Sequence, residues 1–170
     1  GVIVHISAAD GAEIHYTTDC STPTRTSPLY TGPISINATT VIRAIACAPD
    51  QLCSAVAGAT YFINDSSPVP VVSLYTDNAY LFDDSTGVMV KGTGRTPNYM
   101  KNLQYPCQLE YFDENGQLGI CQMGTFKIAG KTMRTGKQKS LAVYARKAYG
   151  SDTFGYPFFE DRDYDGYSAI

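Results

Sequence analysis

The feature that most constrains this chain is its hydrophobic period. Val, Ile, Tyr and Thr recur at every second position in short runs, and each run is cut off by Gly, Pro, Asn or Asp. Side chains alternate across a strand, so a period of two buries one face of a sheet. Helical spacing is nearly absent. Residues 2–7 (VIVHIS), 12–18 (AEIHYTT), 33–36 (PISI), 40–48 (TVIRAIACA) and 57–63 (AGATYFI) read as strands. Turn signals separate them by about 10 residues, the rhythm of a small β-sandwich.

The polar, Pro-bearing stretch 64–70 (NDSSPVP) is the best domain boundary, dividing the chain into 1–65 and 66–170. The second part opens with a strand-like VVSLYTD (71–77). Asp77-Asn78-Ala79-Tyr80-Leu81-Phe82 is expected to start a short helix, with Thr76 or Asp77 as its N-cap. GVMVKG (87–92) reads as a strand, and GTGRTPNYMKN (92–102) has no period and reads as a loop. QLEYFDENGQLGICQ (108–122) is a hairpin turning at Asn115-Gly116. TFKIAG (125–130) and KSLAVYAR (139–146) are further strands; in the last, Leu141, Val143 and Ala145 share one face. The fold class is therefore mainly β.

Apolar residues make up 44 % of the chain, enough for a packed core, and the net charge is −3. A general nucleic-acid binder would show a broad basic face, so the net charge argues against that class. No apolar run approaches the roughly 18 residues of a membrane span. The chain opens on Gly1 inside a strand-like stretch and stops at Ile170 without a closing element, so it is expected to be an excised piece of a longer protein.

Five Cys are present with no CxxC pair, which argues against zinc. Cys47 and Cys53 flank a turn-like APDQL and are the best-placed pair for a disulfide; the other thiols are expected to be mostly reduced and half-buried. If FDENGQ forms a type I turn with a bulged Gly116, Cys107 and Cys121 share one face diagonally, with Cα atoms ~7–8 Å apart. That lies beyond comfortable disulfide reach.

Charge is unevenly spread. Lys127, Lys131, Arg134, Lys137, Lys139, Arg146 and Lys147 supply seven of the 13 basic residues, with no Asp or Glu among them. A phosphate loop fails by count, because the glycines before Lys131 and Lys137 are separated by five residues and no helix follows. DRDYDG (161–166) matches half a calcium loop, but a polar turn is the better reading. His5 and His15 have no nucleophile patterned near them, so a Ser/His/Asp hydrolase is not expected. Tyr99, Tyr105, Tyr149, Tyr156 and Tyr167 lie in expected loops, where they could stack on sugars but more commonly pack at a core edge.

Two family resemblances sharpen this picture. IHYTTDCSTPTRTSPLYTGPISINATTVIRAIACA (14–48), closed by YFI (61–63), resembles the chitobiase/β-hexosaminidase C-terminal-like domain. Cys20 stands where that family usually has Gly. The resemblance implies an immunoglobulin-like β-sandwich, an appendage of secreted or surface proteins of bacteria with nothing catalytic in it. PVVSLYTDNAYLFDDSTGVMVKG (70–92), CQLEYFD (107–113) and IAGKTMRTGKQKSLAVYARKAYGSDTFGYPFFED (128–161) look like the opening of a CotH (spore coat protein H) kinase-like domain. Thr132-Met133-Arg134-Thr135 departs from that family's small, Ser-rich run.

The second resemblance implies a β-rich, truncated N-terminal portion of an atypical ATP-dependent kinase. Its metal-binding and catalytic acidic residues would lie beyond Ile170. This piece would then be inactive by itself and hold no cofactor, with ATP and Mg²⁺ belonging to the intact parent. Phosphoryl transfer needs positive charge on the phosphates. Lys139 on its strand is the first candidate for a phosphate contact, Arg134 the second and Lys137 the third. The resemblance also implies an extracellular or cell-surface location. The alternative reading is a spacer or a carbohydrate- or surface-binding module with a protein or cell-wall polysaccharide partner. A sheet cut short would leave an open edge, so some edge-strand self-association is expected.

Overall fold

A computed structural model describes residues 1–159 and 161–170. The chain is mainly β and divides into two compact units, Gly1–Ser67 and Pro68–Ile170.

The first unit holds two antiparallel sheets. β1 (Val2–Val4) pairs with β3 (Ile34–Ile36), and β4 (Thr40–Cys47) lies between β2 (Glu13–Thr17) and β5 (Ala57–Tyr61). Val4, Ile36 and Ile42 are buried between the two sheets, with Tyr16, Ile34 and Tyr61 packed against them. The register explains the choice: Tyr16 faces Ala44 and Ile42 faces Ala59, so large and small residues alternate on the inner face. On the other face of β4, Arg43 is buried and donates from Nη1 to Cys20 O at 2.7 Å and Thr22 Oγ1 at 3.3 Å. Cys20 takes φ +65°, a left-handed conformation that glycine adopts without steric cost. Cys47 is bonded to Cys53, closing the loop after β4, and Arg25 Nη2 donates to Ala48 O (3.1 Å) and Gln51 O (2.6 Å) of that loop.

The second unit is built on one four-stranded antiparallel sheet. β6 (Val71–Tyr75), β7 (Tyr105–Phe112), β8 (Leu118–Ile128) and β9 (Leu141–Ala145) follow one another in space as in sequence. Cys107, Leu109, Phe126, Ile128, Val143 and Ala145 line its buried face, joined by Val88 and Phe154. The helix α1 (Asn78–Phe82) is capped by Asp77, whose Oδ1 accepts from Ala79 N at 2.9 Å. Thr76 instead donates to Pro106 O at 2.6 Å. Two short strands, β10 (Phe154–Gly155) and β11 (Gly166–Tyr167), pair with each other. The chain end returns to β9: Ala145 N donates to Ser168 O and Val143 N to Ile170 O, so the outer edge of β9 is occupied there.

Three sequence expectations need correction. Residues 87–92 form no strand: Val88 N and Met89 N donate to Tyr80 O and Leu81 O, so the apolar run folds back as a turn onto α1. Lys139 does not lie on a strand, because β9 begins at Leu141. Cys107 and Cys121 do not share a face. The turn itself is as expected, with Gly116 at φ +75° and Asp113 N donating to Gln117 O. One step further, Phe112 pairs with Leu118 but Tyr111 with Ile120, leaving Gly119 as an extra residue. A bulge of one residue flips every later side chain to the other face. Cys121 therefore faces Glu110, and Cys107 faces Gly124 in the core.

The thiols follow from that geometry. Cys20, Cys107 and Cys121 are free. Burial pushes the Cys107 thiol up to about 12. A folded-state value above the unfolded one favours the neutral thiol in the fold. That contribution is full below the ordinary thiol range and is lost as pH rises toward 12. At pH 8, the exposed Cys121 should react first with a thiol reagent, and Cys107 only on unfolding. Three thiols in total should appear in denaturant without reductant, counted by absorbance.

Candidate functional site

The seven basic residues of the 127–147 stretch separate into two groups. Lys127 on β8 and Arg146 just after β9 both lie against the ring of Tyr144, at 5.0 and 4.8 Å from its centroid. Arg146 Nε also donates to Thr125 Oγ1 at 3.2 Å. Lys147 pairs with Asp152 at 3.7 Å, both exposed. These cations decorate the sheet and have partners in place. Lys131 and Lys137 are exposed.

Arg134 and Lys139 are held differently. Arg134 lies in a 3-10 turn, Thr132–Thr135, and donates from Nε to Gly130 O at 2.7 Å and from Nη1 to Lys101 O at 3.4 Å. Lys139 donates to Gly136 O at 2.8 Å and sits 4.7 Å from the centroid of Tyr99. Both side chains thus reach toward a second 3-10 turn, Asn98–Met100, and its C-cap Lys101.

Lys101 itself belongs to the group, and sequence reasoning missed it. Its Nζ donates to Asn98 Oδ1 at 2.6 Å. Asn98 is fully buried, and its Nδ2 donates to Asp84 O at 2.9 Å while its backbone N donates to Lys91 O at 2.9 Å. The cation is therefore fastened to a fixed amide. The only local signal was the three-residue step from Asn98 to Lys101, which one helical turn brings together. Nothing in the sequence links that loop to Arg134, 33 residues away.

Lys101, Arg134 and Lys139 are half-buried, and their recorded acceptors are neutral oxygens. Among the described residues none of the three forms an ion pair. Guanidinium carries five donors and ammonium three, so most donors remain open. Such an arrangement suits an oxyanion: a charge-assisted hydrogen bond is shorter and roughly twice as strong as a neutral one. These residues fit phosphate oxygens. Among the described residues no group of three or more His, Cys, Asp or Glu side chains comes together.

Of the loop tyrosines, Tyr105 lies on β7 and stacks on Tyr80 at 4.4 Å, and Tyr156 and Tyr167 pack against Phe158. Tyr99 lies under Lys139, and Tyr149 is 38 % exposed. No helix among the described residues is long and apolar enough to cross a membrane.

The first unit is a β-sandwich of two antiparallel sheets. Residues 4–61 match the family model described as Fn3 associated. No curated protein and no solved structure matches the chain.

Proposed function

We propose that this chain is part of a secreted or cell-surface bacterial protein of the CotH type, whose intact form is an atypical ATP-dependent kinase. In this reading unit 1 is a chitobiase C-terminal-like appendage. Unit 2 is the β-rich, phosphate-contacting side of the kinase-like domain. Arg134 and Lys139 are the phosphate contacts, and Lys137, exposed on its loop, plays a lesser part. One observation carries the proposal: Arg134 and Lys139 converge on one turn without a carboxylate to neutralise them among the described residues. Phosphoryl transfer is largely positioning and neutralisation of charge, which is work for such cations. The Cys47–Cys53 bond supports an oxidising compartment. The piece is proposed to bind phosphate without turning over.

A thermal-shift series tests this on the 170-residue chain, with ATP, ATP plus Mg²⁺, inorganic phosphate and soluble oligosaccharides. A ligand that binds only the folded state raises the midpoint by mass action. The expected result is a rise with ATP that Lys139→Ala abolishes. The competing reading, a spacer or carbohydrate-binding module, is favoured by the family match of unit 1 and by the exposure of Phe159 and Tyr164. A rise with a glycan and none with ATP would decide for it.

A further inference from the structure

We infer that Lys101 is a further phosphate contact of unit 2, and a stronger one than Lys137. This rests on the phosphate-binding reading of Arg134 and Lys139 and adds to it the loop 92–102, which no sequence pattern assigns to the site.

The argument is one of preorganisation. A cation that must be ordered at the moment of binding loses side-chain entropy, and a cation already held does not. Lys101 has its ammonium on Asn98 Oδ1, and Asn98 is fully buried and fixed at its other end to Asp84 O. Gly92 makes this clamp possible. A Cβ there would lie 2.3 Å from Asp84 O and 2.6 Å from Asn98 Nδ2, and its φ of +69° is one that L side chains rarely adopt.

Arg134 then binds the backbone of the same residue, donating to Lys101 O. Tyr99, two residues earlier, receives the Lys139 ammonium on its ring. Arg134 and Lys139 of segment 130–139 are thus anchored on the 98–101 turn, and Lys101 is anchored within it. Lys137 has no such anchor: it is exposed and makes no hydrogen bond or ion pair among the described residues. Its charge would act only through water, where surface electrostatics are weak and screened.

The test titrates pyrophosphate into the 170-residue chain by calorimetry at fixed ionic strength. Variants are Lys101→Gln, Lys137→Gln, Arg134→Gln and Lys139→Gln. Lys101→Gln and Lys137→Gln remove the same charge, so bulk electrostatics are matched between them. Lys101→Gln should weaken binding by roughly tenfold or more, the order of one charge-assisted hydrogen bond. Lys137→Gln should stay within about twofold, as expected of a screened surface charge. Equal effects of these two variants would overturn the inference while leaving the reading intact. No binding by the unsubstituted chain, or no loss in Arg134→Gln and Lys139→Gln, would overturn the reading and the inference with it.

A footprint on the unsubstituted chain covers the case in which Lys101→Gln does not fold. Lysine acetylation with and without pyrophosphate, read by mass spectrometry, should show protection at Lys101 and Lys139 and none at Lys137. Protection at Lys137 with Lys101 still reactive would overturn the assignment.

Discussion

Phe126→Ala should lower the stability of unit 2 by about 3–5 kcal/mol, the usual cost of deleting a buried aromatic ring. Phe126 is fully buried on β8, paired with Tyr105 on β7 and with Val143 on β9. Its ring therefore sits at the middle of the four-stranded sheet, among Leu109, Val143 and Phe154. Both neighbouring strands are held by backbone ladders, so collapse into the space left behind is limited. The loss is a large part of the ~5–15 kcal/mol that holds a typical domain together. Urea unfolding followed by tyrosine fluorescence would show a lower midpoint with little change in slope. Phe82→Ala is the comparison: Phe82 is 58 % exposed, and its removal should change stability by no more than ~0.5 kcal/mol. A loss below ~1 kcal/mol for Phe126→Ala would mean that Phe126 is not at the centre of this core.

The second large effect should come from Asn98→Ala, a substitution of a polar residue in a loop. Asn98 shows no exposed surface, so its hydrogen bonds have no water to replace them. Its Nδ2 satisfies Asp84 O and its Oδ1 receives Lys101 Nζ. A buried group stripped of its partner costs ~1–3 kcal/mol. Asp84 is an exposed residue, so its carbonyl recovers part of that cost from water, and Lys101 can swing out into water and recover most of its own. The expected loss is thus about 1–2 kcal/mol, visible as a fall of several degrees in the unfolding midpoint. Pyrophosphate affinity should fall as well, because the Lys101 ammonium is then no longer held. A variant as stable as the unsubstituted chain would contradict the clamp.

Much of the fold was legible because local and tertiary preferences agree. The five strands of unit 1 follow alternating β-branched and aromatic residues, α1 starts at its Asp77 cap, and the hairpin turns at Asn115-Gly116. What was not legible depends on distant neighbours. Gly119 bulges where a Cβ would meet the ring of Tyr156, at 2.4 Å from Cε2, a contact set 37 residues later in the chain. Turn chemistry fixes the register beside the turn and says nothing of a slip further along the strand. Val88 and Met89 carry a strand-like apolar run, yet the carbonyls of α1 take their amides. Lys139 looked like the start of β9, but the strand begins only where pairing with Ile128 begins, at Leu141.

The candidate site was legible by half. The run of cations announces itself by charge alone, and Arg134 and Lys139 lie within it. The reason these two differ from Lys127, Arg146 and Lys147 is not in the run. Tyr144, Thr125 and Asp152 partner those three, whereas Arg134 and Lys139 lean on a loop more than 30 residues away. Lys101 carries no signature because its importance comes from a buried amide and from what crosses its backbone.

The most direct measurement is a map of amide chemical shifts on adding pyrophosphate to the isotope-labelled chain at constant ionic strength. The account predicts shifts concentrated in residues 98–101 and 130–139, saturating together with one affinity. Shifts spread along 127–147 without residues 98–101, or none at all, would contradict it.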